Sequence, residues 1–451
     1  MGFTLIAFFS TYVLTTLFSA SIFMLTLFIC ELWAFLSVSV TTSVVLDPNT
    51  DPLVRINFNI TVYDVPCEFA MIDVVDILGT RHDNVTKNIN KWNVDKFGER
   101  QSYDGRNKKQ KDYHHDNHHD INELHQNGIS ARPITEREFP EHIRSHDHTF
   151  VNFYAPWCIW CQRLEPVWEA FAEEAELAQD TSSVSIVKVD CVANRMLCME
   201  QRVQAFPTLR WFNGAQVALP DYRSDRTVTA LMEYLRNKLA HEKHLLTLPQ
   251  HQQEAHREVA KEDHHPGCQM AGFLLVNRVP GNFHIEARSN FHNLNPVMAN
   301  LSHTVHQLSF GQIMSKKVKS MTRDIPQEYF SDSLMSPMDN GVFVNRDLHT
   351  AYHHYLKVVS THFGSGFSYG SNSLISYQMV ESSQIMKYDA EDIPEARFSY
   401  DLSPMAVVIS KKSKKWYEFI TSMCALIGGT FTVVGLISSF LNVILKGGKN
   451  M

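Results

Sequence analysis

Two cysteines three residues apart, Cys158 and Cys161, stand at the start of a helical pattern in FVNFYAPWCIWCQRLEPVW, residues 150–168. The stretch reads as a buried strand around Val151 and Phe153, then Pro156 and Trp157, then the first turn of a helix. A thiol at that place faces unpaired backbone N–H groups and the positive end of the helix dipole, so its thiolate is favoured and its pKa falls. The second thiol lies on the same side of the turn and reaches a mixed disulfide formed by the first. The spacing suits thiol–disulfide exchange, with Cys158 as nucleophile and Cys161 as resolving thiol. A structural disulfide or half of a zinc site are the other uses of such a pair. Upstream, His114, His115, His118, His119 and His125 cluster in KKQKDYHHDNHHDINELH. Imidazole ligates metals, but no cysteine joins these histidines and no ordered scaffold is evident, so a solvated spacer is the reading here. No metal and no cofactor are assigned.

The elements that must position the two thiols follow from periodicity. From about residue 129 to 241 the pattern is α/β: the strand at Val151, a helix through Ala175, and a strand over residues 183–190. A short helix over 194–203 comes next, then a strand in AFPTLRWFNG ending at Asn213-Gly214. The last helix, 226–239, carries Val228, Leu231, Leu235 and Leu239 at helical spacing. Upstream, VRINFNITV alternates Val54, Ile56, Phe58, Ile60 and Val62 with polar residues, the period of a half-buried strand, and puts Asn59 on the polar face. PCEFAMIDVVDILG is a further strand-like run. From Gly267 onward, GCQMAGFLLVNRVPGNFHIEA, VFVNRDL, YHHYLKVVSTHF, SLISYQMVES and FSYDLSPMAVVI are again strand-like. Residues 91–128 and 244–266 are polar and charged and predict linkers.

At 451 residues the chain is expected to hold about two to four domains. A net charge of −7, without basic runs interleaved with aromatics, points away from nucleic acid. Residues 3–29 and 419–445 contain no charged side chain. Each is long enough to cross a bilayer, which takes about 20 residues. A cleaved signal peptide is the alternative for the first. Gly428, Gly429 and Gly435 would let a second helix approach closely. The glycosylation sequons at Asn59, Asn84 and Asn300 and the cysteine pair all lie between the two segments. Cytosolic ends around an oxidising lumenal middle fit this distribution. Cys30 and Cys424, in the apolar segments, read as small hydrophobes.

The APWCIWC block, with Val203, Phe206, Pro207 and Thr208 at their downstream spacing, closely resembles the active-site segment of protein disulfide isomerases, which have the thioredoxin fold. The resemblance implies a cis proline at Pro207, with the preceding backbone at Phe206 free to pair with an extended substrate. It also implies that Arg226 tunes the resolving thiol, although a surface arginine opening a helix fits nearly as well. Asn152 departs from the family, which places a buried acid there to relay protons to the second thiol; an amide cannot do so. Ile159-Trp160 replace the common Gly-His pair and remove one source of thiolate stabilisation. A slower, less oxidising centre is expected. Cys191 and Cys198 match a pair found in several lumenal thioredoxin domains, a structural disulfide or a second redox relay. Cys67 and Cys268 remain, on opposite sides of the insert, and a bridge between them would lock the two β blocks together.

The flanks resemble the Erv/ERGIC family of early-secretory membrane proteins. LFICELWAFLSV and VRINFNITVYDVPCEFAMIDVVDILG match its amino-terminal half; GCQMAGFLLVNRVPGNFHIEA, VHQLSFG and FSYDLSPMAVVISKKSKKWYEFITSMCALIGGTFTVVGLI match its carboxy-terminal half. The family carries a polar cytosolic stretch before the first span, whereas here the hydrophobic run begins almost at Met1. A thioredoxin domain spliced into such a protein is similar to the chimeric protein disulfide isomerases of plants and protists. Some of those lack the second active-site cysteine, which this chain keeps as Cys161.

The expected fold is a thioredoxin α/β domain inserted into a split, β-sandwich-like lumenal domain flanked by two transmembrane helices. The boundaries are a first membrane segment over 1–40, β domain over 41–90 and 267–417, linkers over 91–128 and 244–266, and the insert over 129–243. A second span over 418–445 and a tail over 446–451 complete the chain. The expected function is that of a membrane-anchored thiol–disulfide oxidoreductase acting on cysteine-containing secretory clients. By the resemblance it works in the endoplasmic reticulum and intermediate-compartment or Golgi membrane, with Erv/ERGIC partner subunits and COPII and COPI coats at its cytosolic ends. The alternative is an ER–Golgi cargo receptor whose thioredoxin domain mainly captures clients.

Overall fold

The computed structural model describes residues 18, 21–37, 39–76, 79, 88–106, 113–116, 130–218, 220–247, 267–312, 332–364, 374–412 and 414–447. Two six-stranded sheets form the β-rich part. One runs in the order Leu374–Lys387, Thr350–Gly364, Glu395–Lys412, Gly281–Ala287, Ala70–Asp76, with Ser39–Leu46 also paired to Glu395–Lys412. The other runs Gly341–Phe343, His303–Phe310, Leu53–Val62, Gly267–Asn277, Ile89–Val94, Arg100–Arg106. The alternation in Leu53–Val62 does what it predicts. Ile56, Phe58 and Ile60 turn into one shared core with Phe283, Ile285, Leu356 and Phe398 of the opposite sheet. Burying such side chains contributes about 1.5–3 kcal/mol each.

The split domain is interleaved rather than merely abutted. Leu53–Val62 lies between Gly267–Asn277 and His303–Phe310, and Ala70–Asp76 pairs with Gly281–Ala287. The structure joins Cys67 to Cys268, both buried, across the two halves. The composition predicts a linker over 91–128, yet Ile89–Val94 and Arg100–Arg106 are paired strands of the second sheet. Lys91 hid the first of them. It occupies an inward position, where its ammonium donates to the carbonyls of Cys67 at 3.0 Å and Ala70 at 2.6 Å. The second is an exposed edge strand with no apolar face to betray it.

Ser39–Leu46 runs antiparallel along the end of Glu395–Lys412, from Ser39 opposite Lys412 to Leu46 opposite Met405. The helices attached there, Ser21–Leu36 and Trp416–Gly447, therefore leave the sandwich together. They lie antiparallel: Phe35 meets Phe419 with ring centroids 4.7 Å apart, Glu31 pairs with Lys414 at 2.9 Å, and Thr430 reaches Met24. Among the described residues one helix is long and apolar enough to cross a membrane, over Trp416–Ile437 with mean hydropathy 1.9; Ser21–Leu36 is a shorter apolar helix. Most of the first expected span, 3–29, lies outside the described residues.

The inserted domain has a five-stranded sheet in the order Gln216–Ala218, Thr208–Asn213, His148–Tyr154, Val184–Asp190, Arg132–Pro133. Its last two neighbouring pairs are parallel and the first two antiparallel. Helices Ile159–Leu177 and Val228–Thr247 cover one face, with Trp168, Phe171, Leu231 and Leu235 packed on Phe150 and Trp211. Phe139–Ser145 and Arg195–Glu200 cover the other. That is the thioredoxin arrangement, with the central strand His148–Tyr154 leading straight to the cysteines.

Candidate active site

Cys158 caps the Ile159–Leu177 helix. Its backbone is extended (φ −76°, ψ 118°) and its sulfur accepts from the Cys161 amide at 3.1 Å. A sulfur at this position takes one of the unpaired donors of the first turn, so the anion is favoured. The Cys158 pKa falls below the ordinary thiol value. The Cys161 thiol directed at its sulfur is the main cause, burial opposes it, and the amides of Cys161, Trp160 and Asn293 add to it. Burial is the first of the causes that push the Cys161 thiol up. The pair therefore divides into a thiol that ionises readily and a reluctant one.

The Phe206–Pro207 bond is cis, and the Phe206 carbonyl stands 3.5 Å from the Cys158 sulfur, placed to accept from its S–H. Trp157 meets the Phe206 ring edge-on at 5.9 Å. Trp157 and Ile159 are half exposed, at 52% and 50%, whereas Cys158 between them is 0% exposed. Trp160 lies under the His115 ring, 5.9 Å away and stacked, with the Arg163 guanidinium on it at 4.8 Å.

Asn152 is buried, and its amide oxygen has no partner among the described residues. The lysine opposite it in register, Lys188, turns instead to Glu169 at 2.7 Å and Glu165 at 3.7 Å. Glu169 also accepts from the amides of Ser130 and Ala131, both at 2.7 Å. The buried acid of this domain thus belongs to the helix, not to the strand that carries Asn152. Sequence reasoning missed the pair; a lysine within the apolar run SIVKVD was the available signal.

Arg226 is not a surface arginine. It is 3% exposed, and its guanidinium donates to the Phe291 carbonyl at 3.2 Å and to His292 Nε2 at 2.8 Å. Because arginine only donates, His292 accepts at Nε2 and carries its proton on Nδ1, which faces Ser289 Oγ at 3.2 Å. Burial, with Arg226 and Arg223 beside it, pushes the His292 pKa down to about 2. Asn293 and Leu294 pair antiparallel with Phe206 and Ala205. Phe291, His292 and Asn293 come from the β-rich domain, and nothing in their local sequence marked them.

Cys191 and Cys198 are joined, in the same buried cluster as Cys161. Of the linker histidines, His114 and His115 lie against the thioredoxin domain, and His118, His119 and His125 fall outside the described residues. Among the described residues the grouping spaced for a metal is Asp73, His284 and Glu286 in the sandwich, where Arg288 already pairs with both acids. Asn59 and Asn300 are half-buried. The Asn59 amide accepts from Gln269 at 2.8 Å and that of Asn300 from the Ser302 amide at 2.9 Å, while Asn84 lies outside the described residues.

Family models match in three pieces: "Endoplasmic Reticulum-Golgi Intermediate Compartment (ERGIC)" over residues 10–83, "Thioredoxin" over 130–237, and "Endoplasmic reticulum vesicle transporter" over 229–438. Protein disulfide-isomerase 5-4 of Arabidopsis thaliana is 33% identical over 450 residues, covering 94% of this chain and 90% of that one. A probable endoplasmic reticulum-Golgi intermediate compartment protein 3 of Dictyostelium discoideum is 30% identical over 207 residues, 43% of this chain and 49% of that one. The crystal structure of Erv41p aligns over 82% of this chain and 99% of that one, with 15% identity and a TM-score of 0.36. The chain belongs to the chimeric protein disulfide isomerases, in which a thioredoxin domain stands between ERGIC-type and Erv-type segments.

Proposed function

We propose that this protein is a membrane-anchored thiol–disulfide oxidoreductase of the early secretory pathway that works through Cys158 and Cys161 on cysteines of secretory proteins. The observation that carries the reading is Cys158 at the helix cap, with Cys161 behind it and the cis-proline edge beside it. The Cys158 thiolate attacks a client disulfide, forms a mixed disulfide and expels one client thiolate. Cys161 then loses its proton and attacks the Cys158 sulfur. The second client thiolate leaves, and the protein retains the Cys158–Cys161 disulfide, two electrons having passed to the client. With an amide at position 152, no carboxylate there takes the Cys161 proton, which makes resolution the slow step.

The antiparallel contact of Ser21–Leu36 with Trp416–Gly447 supports two spans with both chain ends on one side. In that arrangement the sandwich and the thioredoxin domain are lumenal. ERGIC proteins among the relatives support the same compartments and partner subunits of the Erv type. Engagement of COPII and COPI coats by the cytosolic ends belongs to this reading.

The test is a Cys161→Ala chain expressed in its native membrane. It accumulates mixed disulfides with client proteins, and the Cys158→Ala chain accumulates none. Equal client capture by both variants would favour a cargo receptor that holds clients without exchanging disulfides.

A further inference from the structure

The edge that an extended client needs is already taken. Asn293 pairs with Phe206, the residue before the cis proline, and Leu294 with Ala205. The Asn295 amide continues the ladder to the Gln204 carbonyl at 2.8 Å, and its side chain donates to the Val203 carbonyl at 3.1 Å. The Asn293 backbone amide is among the groups that lower the Cys158 pKa. Upstream, Phe291 packs against Trp160 with centroids 5.7 Å apart, and downstream Leu294 is buried. This explains why Cys158 is 0% exposed while Trp157 and Ile159 beside it are half exposed.

A second segment closes the other side. The His114 carbonyl accepts from the Arg226 amide at 2.7 Å, and Asp116 accepts from the Val228 amide at 2.8 Å. His115 covers Trp160, and Tyr113 meets Phe291 and His292 edge-on at 5.8 Å and 5.7 Å. The two segments touch each other over the site. Phe291–Asn295 belongs to the connection between strands Gly281–Ala287 and His303–Phe310, outside both six-stranded sheets. Its withdrawal therefore breaks no ladder of the sandwich, so a local opening costs far less than unfolding.

We infer that Phe291–Leu294 is an internal stand-in for the client: its backbone holds the client edge beside Cys158, Asn293 stands where a client cysteine would stand, and exchange begins only when the segment withdraws. The inference rests on the oxidoreductase reading and names the client class within it. That class is an unfolded, extended segment with an aromatic residue two positions before its cysteine and an aliphatic residue after it. Such a segment repeats the contacts of Phe291 and Leu294 and competes for the edge by strand addition.

The test uses the full-length chain in detergent. In the double variant Asn293→Cys, Cys161→Ala, oxidised glutathione reacts with Cys158 to give its glutathione adduct and one glutathione. The introduced thiol then displaces the second glutathione and closes a disulfide to Cys158. Peptide mapping is expected to find position 158 linked to position 293 within one chain. A glutathione adduct persisting on Cys158 beside a free thiol at 293 would overturn the inference. A second measurement needs no engineered thiol. Reduced wild-type chain is labelled at Cys158 by a bulky maleimide, beside Asn293→Pro, which removes the Asn293 N–H, and Phe291→Ala. Wild type is expected to label at least about tenfold more slowly than both variants, and equal rates would overturn closure. Insulin reduction is scored separately on the same samples. Variants that label quickly yet never turn over would remove the oxidoreductase reading and leave the closure intact.

Discussion

At the residue scale the site is a balance between one stabilised thiolate and one suppressed one. Cys158 is helped first by the Cys161 thiol and then by the amides at the helix cap, and Cys161 is held protonated by burial. In the proposed cycle Asn152 would set the pace of resolution, because Cys161 must lose a proton and position 152 offers no acid–base group. Asn152→Asp restores a carboxylate of nearly the same size opposite Lys188. It is expected to speed resolution of a Cys158 mixed disulfide by at least about tenfold and to leave the alkylation rate of Cys158 unchanged. Stopped-flow resolution of a fluorescent mixed disulfide measures the first quantity and iodoacetamide labelling the second. A change in labelling alone would show that the residue acts on Cys158 instead. Cys158 and Cys161 were legible because their chemistry fixes their spacing, and Pro207 because its segment resembles the isomerase active site. Glu169 and Lys188 were not, because a pairing across 19 residues between a helix and a strand leaves no periodic trace.

At the element scale the thioredoxin order could be read from alternation and helical spacing. Two strands of the sandwich could not, since Lys91 faces inward on its alkyl stem and Arg100–Arg106 has no buried face. The docked segment Phe291–Leu294 adds a pH dependence. While it is docked, His292 is neutral against Arg226 and Arg223, with Tyr113, the Phe69 ring and the Arg223–Glu68 pair around it. Withdrawn, it regains an ordinary pKa of about 6.5. The docked pKa is the lower one, so docking is fully favoured above about pH 6.5 and loses its advantage as pH falls through that value. From pH 7.5 to 5.5 opening is expected to rise about tenfold. Hydrogen exchange of the 291–294 amides, corrected for intrinsic rate, measures it. His292→Gln is expected to abolish the dependence, and a dependence that survives would place the titrating group elsewhere.

At the scale of the molecule a redox domain is wedged into a sandwich whose halves are far apart in sequence, and Cys67–Cys268 ties them across 201 residues. Removing a native disulfide typically costs about 2–5 kcal/mol. The Cys67→Ala, Cys268→Ala chain is expected to show a lower unfolding midpoint for the sandwich, followed by tryptophan fluorescence at Trp92, while the Cys158–Cys161 exchange survives. An unchanged midpoint would mean that interleaved pairing alone holds the halves. The split architecture was legible from its family resemblance and from the cysteines on either side of the insert. The contact between the sandwich and the redox edge was not, because it joins residues such as Phe206 and Asn293 that only the assembled fold brings together.

Equilibration of the full-length chain with glutathione redox buffers tests the dithiol–disulfide chemistry of Cys158 and Cys161. Mass spectrometry of alkylated peptides counts each state. One reversible two-electron couple between these two thiols is expected, with a potential more negative than the roughly −180 mV of protein disulfide isomerase. A glutathione adduct on Cys158 with Cys161 still reduced at every ratio would contradict it.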